Sequence, residues 1–248
     1  MREETGRLHG RLAYARLLRE GAGETPGVVF LGGFRSDMQG AKALALRDHC
    51  AARGRAFLRF DYAGHGASAG RFEDGTIGAW AADALAVFDA LTDGPQILIG
   101  SSMGGWIALL LARARPDRLA GFIGIAPAPD FTERLMWPAF DAAQRATIMA
   151  EGVLHLPSAY GEPTPITRAL IEDGRRQLVL DAPIALAGPV RILQGMADAD
   201  VPWRHALLLM DALSGGDARL TLVKDGDHRL SRPEDLRLLT ETLDQLPA

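Results

Sequence analysis

Cys50 is the only cysteine, which excludes an intrachain disulfide framework and any cysteine-based metal cluster. A basic excess is missing as well. The 27 Lys and Arg residues stand against 31 Asp and Glu, for a net charge of −4, and no basic patch of the kind a nucleic-acid binder carries is visible. No apolar run approaches the roughly 20 residues that span a bilayer. The first six residues, Met1-Arg2-Glu3-Glu4-Thr5-Gly6, lack both the apolar stretch of a signal peptide and the acid-poor character of a transit peptide. The expectation is a soluble cytoplasmic protein with no nucleic-acid partner and no stable membrane insertion. What is present is ordinary globular material: 248 residues, 48% hydrophobic and 23% charged. That length is common for one α/β domain.

Short apolar runs alternate with stretches of helical period, the pattern of a parallel sheet covered by helices. Strands are expected at 28–31, 56–60, 97–99, 122–125, 190–193 and 220–223. Helices are expected at 41–52, 80–91, 104–113, 206–213 and 234–246, and residues 12–17 suggest a further strand that could be an edge. The alternation breaks between about Pro127 and Pro189, where eight prolines flank helical pieces near 132–151 and 166–176. The fold class expected is α/β: a mostly parallel doubly wound sheet with a small helical cap. Residues 1–127 and 184–248 form the core in this reading, and 128–183 the cap insertion. Such an insertion would lie over the crevice at the carboxyl ends of the strands.

Gly100-Ser101-Ser102-Met103-Gly104 fits G-x-S-x-G. With 28 glycines and 7 serines in 248 residues, a shuffled chain would show that pattern with an expectation of about 0.09, so the motif alone is only suggestive. Its context sharpens it, because a buried strand precedes it and a helix follows, as a nucleophile elbow requires. The plainer reading makes Ser102 a helix N-cap and the glycines packing residues.

A serine hydroxyl needs a base. Of six histidines, His228 is the best placed, directly after strand 220–223 in Asp225-Gly226-Asp227-His228; a surface-loop histidine is the alternative. The base needs a carboxylate to fix its tautomer. Asp198 follows strand 190–193, with Asp200 as the main competitor and Asp130 as a weaker one. The order Ser102, Asp198, His228 is the Ser–Asp–His order of α/β-hydrolases. Oxyanion donors are assigned to the backbone N–H of Met103 and of Phe34, in the loop Gly32-Gly33-Phe34-Arg35-Ser36-Asp37; a plain glycine turn is the alternative there. Asp61 and His65 are expected to hold a glycine-rich turn together.

Gly100–Gly104, the Asp61-Tyr62-Ala63-Gly64-His65-Gly66-Ala67-Ser68 turn and the Asp198/His228 pair resemble the serine α/β-hydrolases over nearly the whole chain. More narrowly, the run from Gly94 to Trp106, Phe60-Asp61-Tyr62, Val201-Pro202-Trp203 and Asp227-His228-Arg229 are similar to a branch of palmitoyl-protein thioesterases and acyl-glucuronide esterases. The resemblance implies thioester or carboxylic ester hydrolysis, with the nucleophile, acid and base roles on Ser102, Asp198 and His228. Gly32-Gly33 stands where many of these hydrolases have His-Gly, so a differently shaped oxyanion loop is expected.

No cofactor and no metal are expected, because no His/Asp/Glu cluster has ligand spacing. A haloalkane dehalogenase of this fold would carry Asp at position 102, and a dinucleotide fingerprint lacks its third glycine at Ala69. The partner is a small-molecule or acylated substrate. Met136, Trp137, Phe140, Met149, Val153, Leu154 and Tyr160 are candidates to line its acyl site, the first three foremost. The opposing functional reading is a catalytically silent protein that keeps the fold for ligand binding or interaction.

Overall fold

The computed structural model describes residues 1–19, 25–158 and 161–247. Eight strands form one sheet: β1 (Arg2–Leu8), β2 (Leu12–Leu18), β3 (Gly27–Leu31), β4 (Phe57–Phe60), β5 (Gln96–Ser101), β6 (Leu119–Ile125), β9 (Val190–Gly195) and β10 (Ala218–Val223). A separate hairpin, β7 (Val153–Ser158) and β8 (Gly161–Thr167), belongs to the segment between β6 and β9. The sheet order is β1-β2-β4-β3-β5-β6-β9-β10. Strands from β4 onward pair in parallel, while β1 and β2 run antiparallel at one side.

Buried on both faces, the central strands are almost wholly apolar, as parallel strands must be. Helices α1 (Ala41–Ala52) and α8 (Pro233–Asp244) cover one face, where Leu46 and Cys50 meet Ile97, Ile123, Leu239 and Leu243. The other face is covered by α2 (Ile77–Leu91), α3 (Met103–Ala114) and α7 (Trp203–Ala212), with Trp80, Trp106 and Phe122 at its centre.

Two features depart from the sequence expectation. Strand β2 is interior, because β1 pairs outside it through a tight turn in which His9 and Gly10 both have positive φ. Strand β1 carries no apolar alternation; Glu4 accepts from Tyr14 and Arg16, and Glu3 pairs with Arg59, so polar cross-strand contacts hold it. Charged residues on an edge strand also discourage pairing with other chains.

The second departure lies in the excursion, which is not all helical. After β6 come a π-helical turn (Thr132–Met136), a short α4 (Trp137–Ala139) and α5 (Ala142–Glu151), then the β7/β8 hairpin and α6 (Arg168–Arg176). Prolines 157, 163 and 165 lie in the hairpin itself. A two-stranded ribbon tolerates proline where the missing N–H would face outward. Asp130 ties the two ends of the excursion together. It is fully buried and accepts from the Val179 and Leu180 amides at 2.9 Å each, beside Arg134.

At the centre, the turn from β5 into α3 is pressed against β3. A Cβ on Gly104 would overlap the Leu31 carbonyl oxygen, and one on Gly100 would overlap the Gly104 carbonyl. Both positions therefore require glycine. Gly104→Ala is expected to cost about 3 kcal/mol, as overpacking against backbone that cannot yield. The urea midpoint measures it; an unchanged midpoint would contradict this packing.

Candidate active site

Ser102 sits between β5 and α3 with φ 54 and ψ −120, a left-handed backbone that a non-glycine residue adopts only under constraint. The constraint is visible in its hydrogen bonds. The Ser102 N–H donates to Ile125 O at 2.9 Å, and its carbonyl accepts from Gly105 and Ala128. Although Ser102 occupies the N-cap place of α3, its side chain makes no cap hydrogen bond. Instead Oγ lies 3.0 Å from His228 Nε2.

His228 Nδ1 lies 2.8 Å from Asp198 Oδ2. With Nδ1–H donating to the carboxylate, the bare Nε2 accepts the Ser102 hydroxyl proton. Asp198 is fully satisfied. Oδ1 accepts from the Asp200 and Val201 amides at 2.9 and 2.8 Å, and Oδ2 accepts from Gln194 Nε2 at 3.0 Å as well as from the imidazole. Burial pushes the Asp198 carboxyl up, but the His228 hydrogen bond and the Val201 and Asp200 amides outweigh it, so the group sits below the usual carboxylate value. The loops holding the acid and base are joined: Met196 N–H donates to Val223 O and Ala197 N–H to Gly226 O. Lys42 of α1 donates to Arg229 O and Ser231 Oγ, fixing the far side of the His228 loop.

Of the three candidate carboxylates, Asp198 is the one at the imidazole. Asp200 contributes its amide to Asp198 and leaves its side chain exposed at the rim of a cavity. Asp130 has its oxygens committed to the Val179 and Leu180 amides. Asp198, Asp200 and His228 offer ligand atoms within 4.8 Å of one another. Four N–H donors already occupy the Asp198 oxygens and both His228 nitrogens are engaged, which leaves these two residues little capacity to hold an ion.

Met103, as the first residue of α3, presents an N–H that precedes the helix's own ladder. Gly33 lies against Ser102: a Cβ there would stand 3.3 Å from Ser102 Cβ, and Phe34, the next residue, lines the same cavity as Ser102. His65, on the glycine-rich turn, is buried at 3% exposure and contacts this loop directly, its Nε2 accepting from the Arg35 N–H at 3.2 Å. Burial lowers the His65 pKa to about 4. Asp61 braces the same turn, accepting from the Met38 and Ala67 amides.

A cavity of about 330 Å³ opens at Ser102 beneath the excursion, lined chiefly by Phe131, Leu135, Met136, Phe140, Leu156 and Val201. Met136 and Phe140 are therefore at the cavity, as expected, and Trp137 is not. The Trp137 ring faces the guanidinium groups of Arg145 and Arg175, at 5.5 and 4.8 Å, and meets Phe140 edge-on. Met149 is exposed, Val153 and Leu154 do not line the cavity, and Tyr160 lies outside the described residues. Sequence reasoning missed Phe131, Leu135, Leu156 and Gln194. Only Gln194 left a signal, as the one uncharged polar residue inside the apolar run of β9.

A family model described as serine aminopeptidase, S33, matches residues 26–169. The mitochondrial palmitoyl-protein thioesterase ABHD10 of Mus musculus is 40% identical over 237 residues, covering 95% of this chain and 78% of that protein. A crystal structure of an Agrobacterium vitis S4 protein superposes with a TM-score of 0.91 at 46% identity, covering 99% of both chains. Alpha/beta hydrolase domain-containing protein 10 from mouse superposes at 0.87 with 37% identity, covering 99% of this chain and 98% of that one.

The buried imidazole of His65 gives the site a pH signature. An unfolded histidine titrates near 6.5 and folded His65 near 4, so between those values the unfolded state binds more protons. Stability from this group is full above about pH 6.5 and declines toward pH 4, by roughly 3 kcal/mol in all. Urea midpoints at pH 7 and 4.5 should differ less for His65→Gln than for wild type; equal differences would rule this out.

Proposed function

This chain belongs to the serine α/β-hydrolases, within the family that the serine aminopeptidase S33 model describes, and from that membership we propose that it hydrolyses acyl thioesters or carboxylic esters through an acyl-enzyme on Ser102. The observation that carries this reading is the continuous hydrogen-bond chain from Ser102 Oγ through His228 to buried Asp198, ending beside an apolar cavity. The printed name of the ABHD10 relative, a palmitoyl-protein thioesterase, supports the thioester arm.

In the first step Ser102 Oγ attacks the acyl carbonyl carbon as its proton passes to His228 Nε2. The imidazolium so formed is stabilised by Asp198, which stays ionised. Negative charge moves onto the carbonyl oxygen, where the Phe34 and Met103 N–H groups receive it; donors of this kind are each worth roughly 10²–10³ in rate. Collapse breaks the bond to the leaving group, and an alkoxide takes the proton from His228. A thiolate needs that proton less, because thiols ionise near pH 8.5, and where it leaves unprotonated His228 gives the proton to solvent before the second step. Water then gives its proton to His228 and attacks the acyl-enzyme, and the second collapse returns Ser102.

Two cavities of different character meet at the serine. The apolar one, under the excursion, suits the acyl chain. The other, about 190 Å³, includes Ser36, Asp37, Lys42, Arg229 and Ser231 and suits a polar leaving group.

Paired hydrolysis rates on acyl thioesters and matched oxygen esters from C2 to C16 test the reading. Ser102→Ala should lose at least about a thousandfold in kcat. An inert wild type, or a fully active Ser102→Ala, would overturn it in favour of a silent binding protein.

Within the active series, each methylene entering the apolar cavity is worth about 0.8 kcal/mol, so kcat/KM should rise about fourfold per CH₂ until the cavity fills. Met136→Trp should move that plateau to shorter chains while leaving C2 turnover within about threefold. A plateau that does not move would place the acyl chain elsewhere.

A further inference from the structure

The acyl-transfer reading makes one demand that Ser102, Asp198 and His228 do not meet: something must hold the Phe34 N–H at the oxyanion. The loop after β3 is not rigid by composition. It opens with Gly32-Gly33, and Arg35 is held at φ 58, a conformation disfavoured for a residue with a side chain. Ser36 donates from its amide and its hydroxyl to Gly33 O, at 3.1 and 2.8 Å, which fixes the peptide that carries the Phe34 N–H on one side of Phe34 and leaves the peptide on its other side, between Phe34 and Arg35, to be held separately.

That second peptide is held by His65. Its Nδ1 lies 3.3 Å from Ala63 O, which can only accept, so Nδ1 carries the proton and Nε2 is the bare nitrogen. The bare nitrogen faces the Arg35 N–H at 3.2 Å. The ring itself has little freedom. It meets Tyr62, Phe72 and Trp80 edge-on, with centroids 5.5, 5.1 and 5.1 Å away. The same aromatic cluster holds the Phe34 ring, 4.8 Å from Phe72, 5.9 Å from Trp80 and 5.8 Å from Phe131. Phe34 is thus fixed at its side chain by packing and at its following peptide by one hydrogen bond to a neutral acceptor.

We propose that His65 is a positioning residue: its Nε2 accepts the Arg35 amide and anchors the peptide after Phe34, so that with Ser36 on the peptide before it the Phe34 N–H is held where it receives the oxyanion. The inference rests on the acyl-transfer reading of Ser102. It explains why a polar ring occupies a pocket otherwise built of aromatics: a phenyl ring would pack as well but could not accept the amide. A carboxylate could accept it only at a high cost of burying charge. The lowered basicity of the ring is consistent with this, since a protonated Nε2 could not accept.

The test compares wild type, His65→Phe and His65→Gln on the best acyl ester from the chain-length series, with the affinity of a trifluoromethyl ketone bearing the same acyl chain. His65→Phe keeps the packing and removes the acceptor, and His65→Gln restores a carbonyl oxygen. For His65→Phe, kcat should fall about 30- to 100-fold while KM stays within about threefold, and the ketone should weaken in parallel with kcat. His65→Gln should recover at least about tenfold of that loss. ¹⁵N NMR of the wild-type imidazole, which needs no variant to fold, should show Nδ1 protonated and Nε2 bare at pH 7.

A His65→Phe enzyme within threefold of wild type in kcat, a loss appearing in KM alone, or a protonated Nε2 would overturn the proposal while leaving Ser102 catalysis in place. An inert wild type would overturn the acyl-transfer reading, and this inference with it.

Discussion

Everything at the site depends on the left-handed backbone at Ser102 being tolerated. Isolated, that conformation costs of order 1–3 kcal/mol, so the surroundings must over-determine it. They do so by crowding. Leu31 O presses on Gly104, and Ile125 O takes the Ser102 N–H. Strands β3 and β6 flank β5 on its two sides, so the elbow is gripped by both neighbours of its own strand. The grip is also what brings Gly33 and Phe34 within reach of the nucleophile, because the loop after β3 has nowhere to go but over the turn. The strained turn, the serine and the glycine loop after β3 are one packing arrangement.

The buried polar groups around this arrangement divide by what they are asked to do. Asp198 is surrounded by four N–H donors and is held in the charged form, which is what a partner to an imidazolium requires. His65, among aromatic rings, is held in the neutral form, which suits an acceptor. Asp130 and Asp61 are pushed up by burial yet accept pairs of backbone amides, closing the excursion and the glycine-rich turn respectively. Environment, more than residue type, separates these roles.

The sheet and the residues at its carboxyl edge were legible in the sequence for a common reason. A parallel strand buried on both faces leaves a continuous apolar run, and whatever follows that run lies at the ligand-binding edge. Ser102 and Asp198 each follow such a run and His228 follows the alternating edge strand β10, so they could be gathered from far-apart segments. Strand β1 left no such trace, since its partners are polar. The β7/β8 hairpin was hidden by its prolines, which in a central strand would be prohibitive and in a ribbon are not. Trp137 shows the limit from the other side. Its size and apolarity suggested a cavity wall, but two arginines on α5 and α6 claim its faces, and no local pattern announces a contact across a cap.

That cap contact bears on how the acyl cavity is made. One wall packs with the core, through Val201 and through Ala128 and Phe131 at the start of the excursion, and the other is formed further along the excursion by Leu135, Met136, Phe140 and Leu156. The excursion is joined to the core by polar and apolar contacts alike: Asp173 Oδ2 accepts from Gly78 N–H, Arg35 donates to Thr164, and Leu170 and Val179 are buried together with the core residues. Polar links of this kind carry about 1 kcal/mol each and are replaceable by water. Ser102 is seated in the core at the end of β5, between β3 and β6, whereas Leu135, Met136, Phe140 and Leu156 reach the cavity from the excursion, so the shape of the cavity is set by residues outside the sheet that positions the serine.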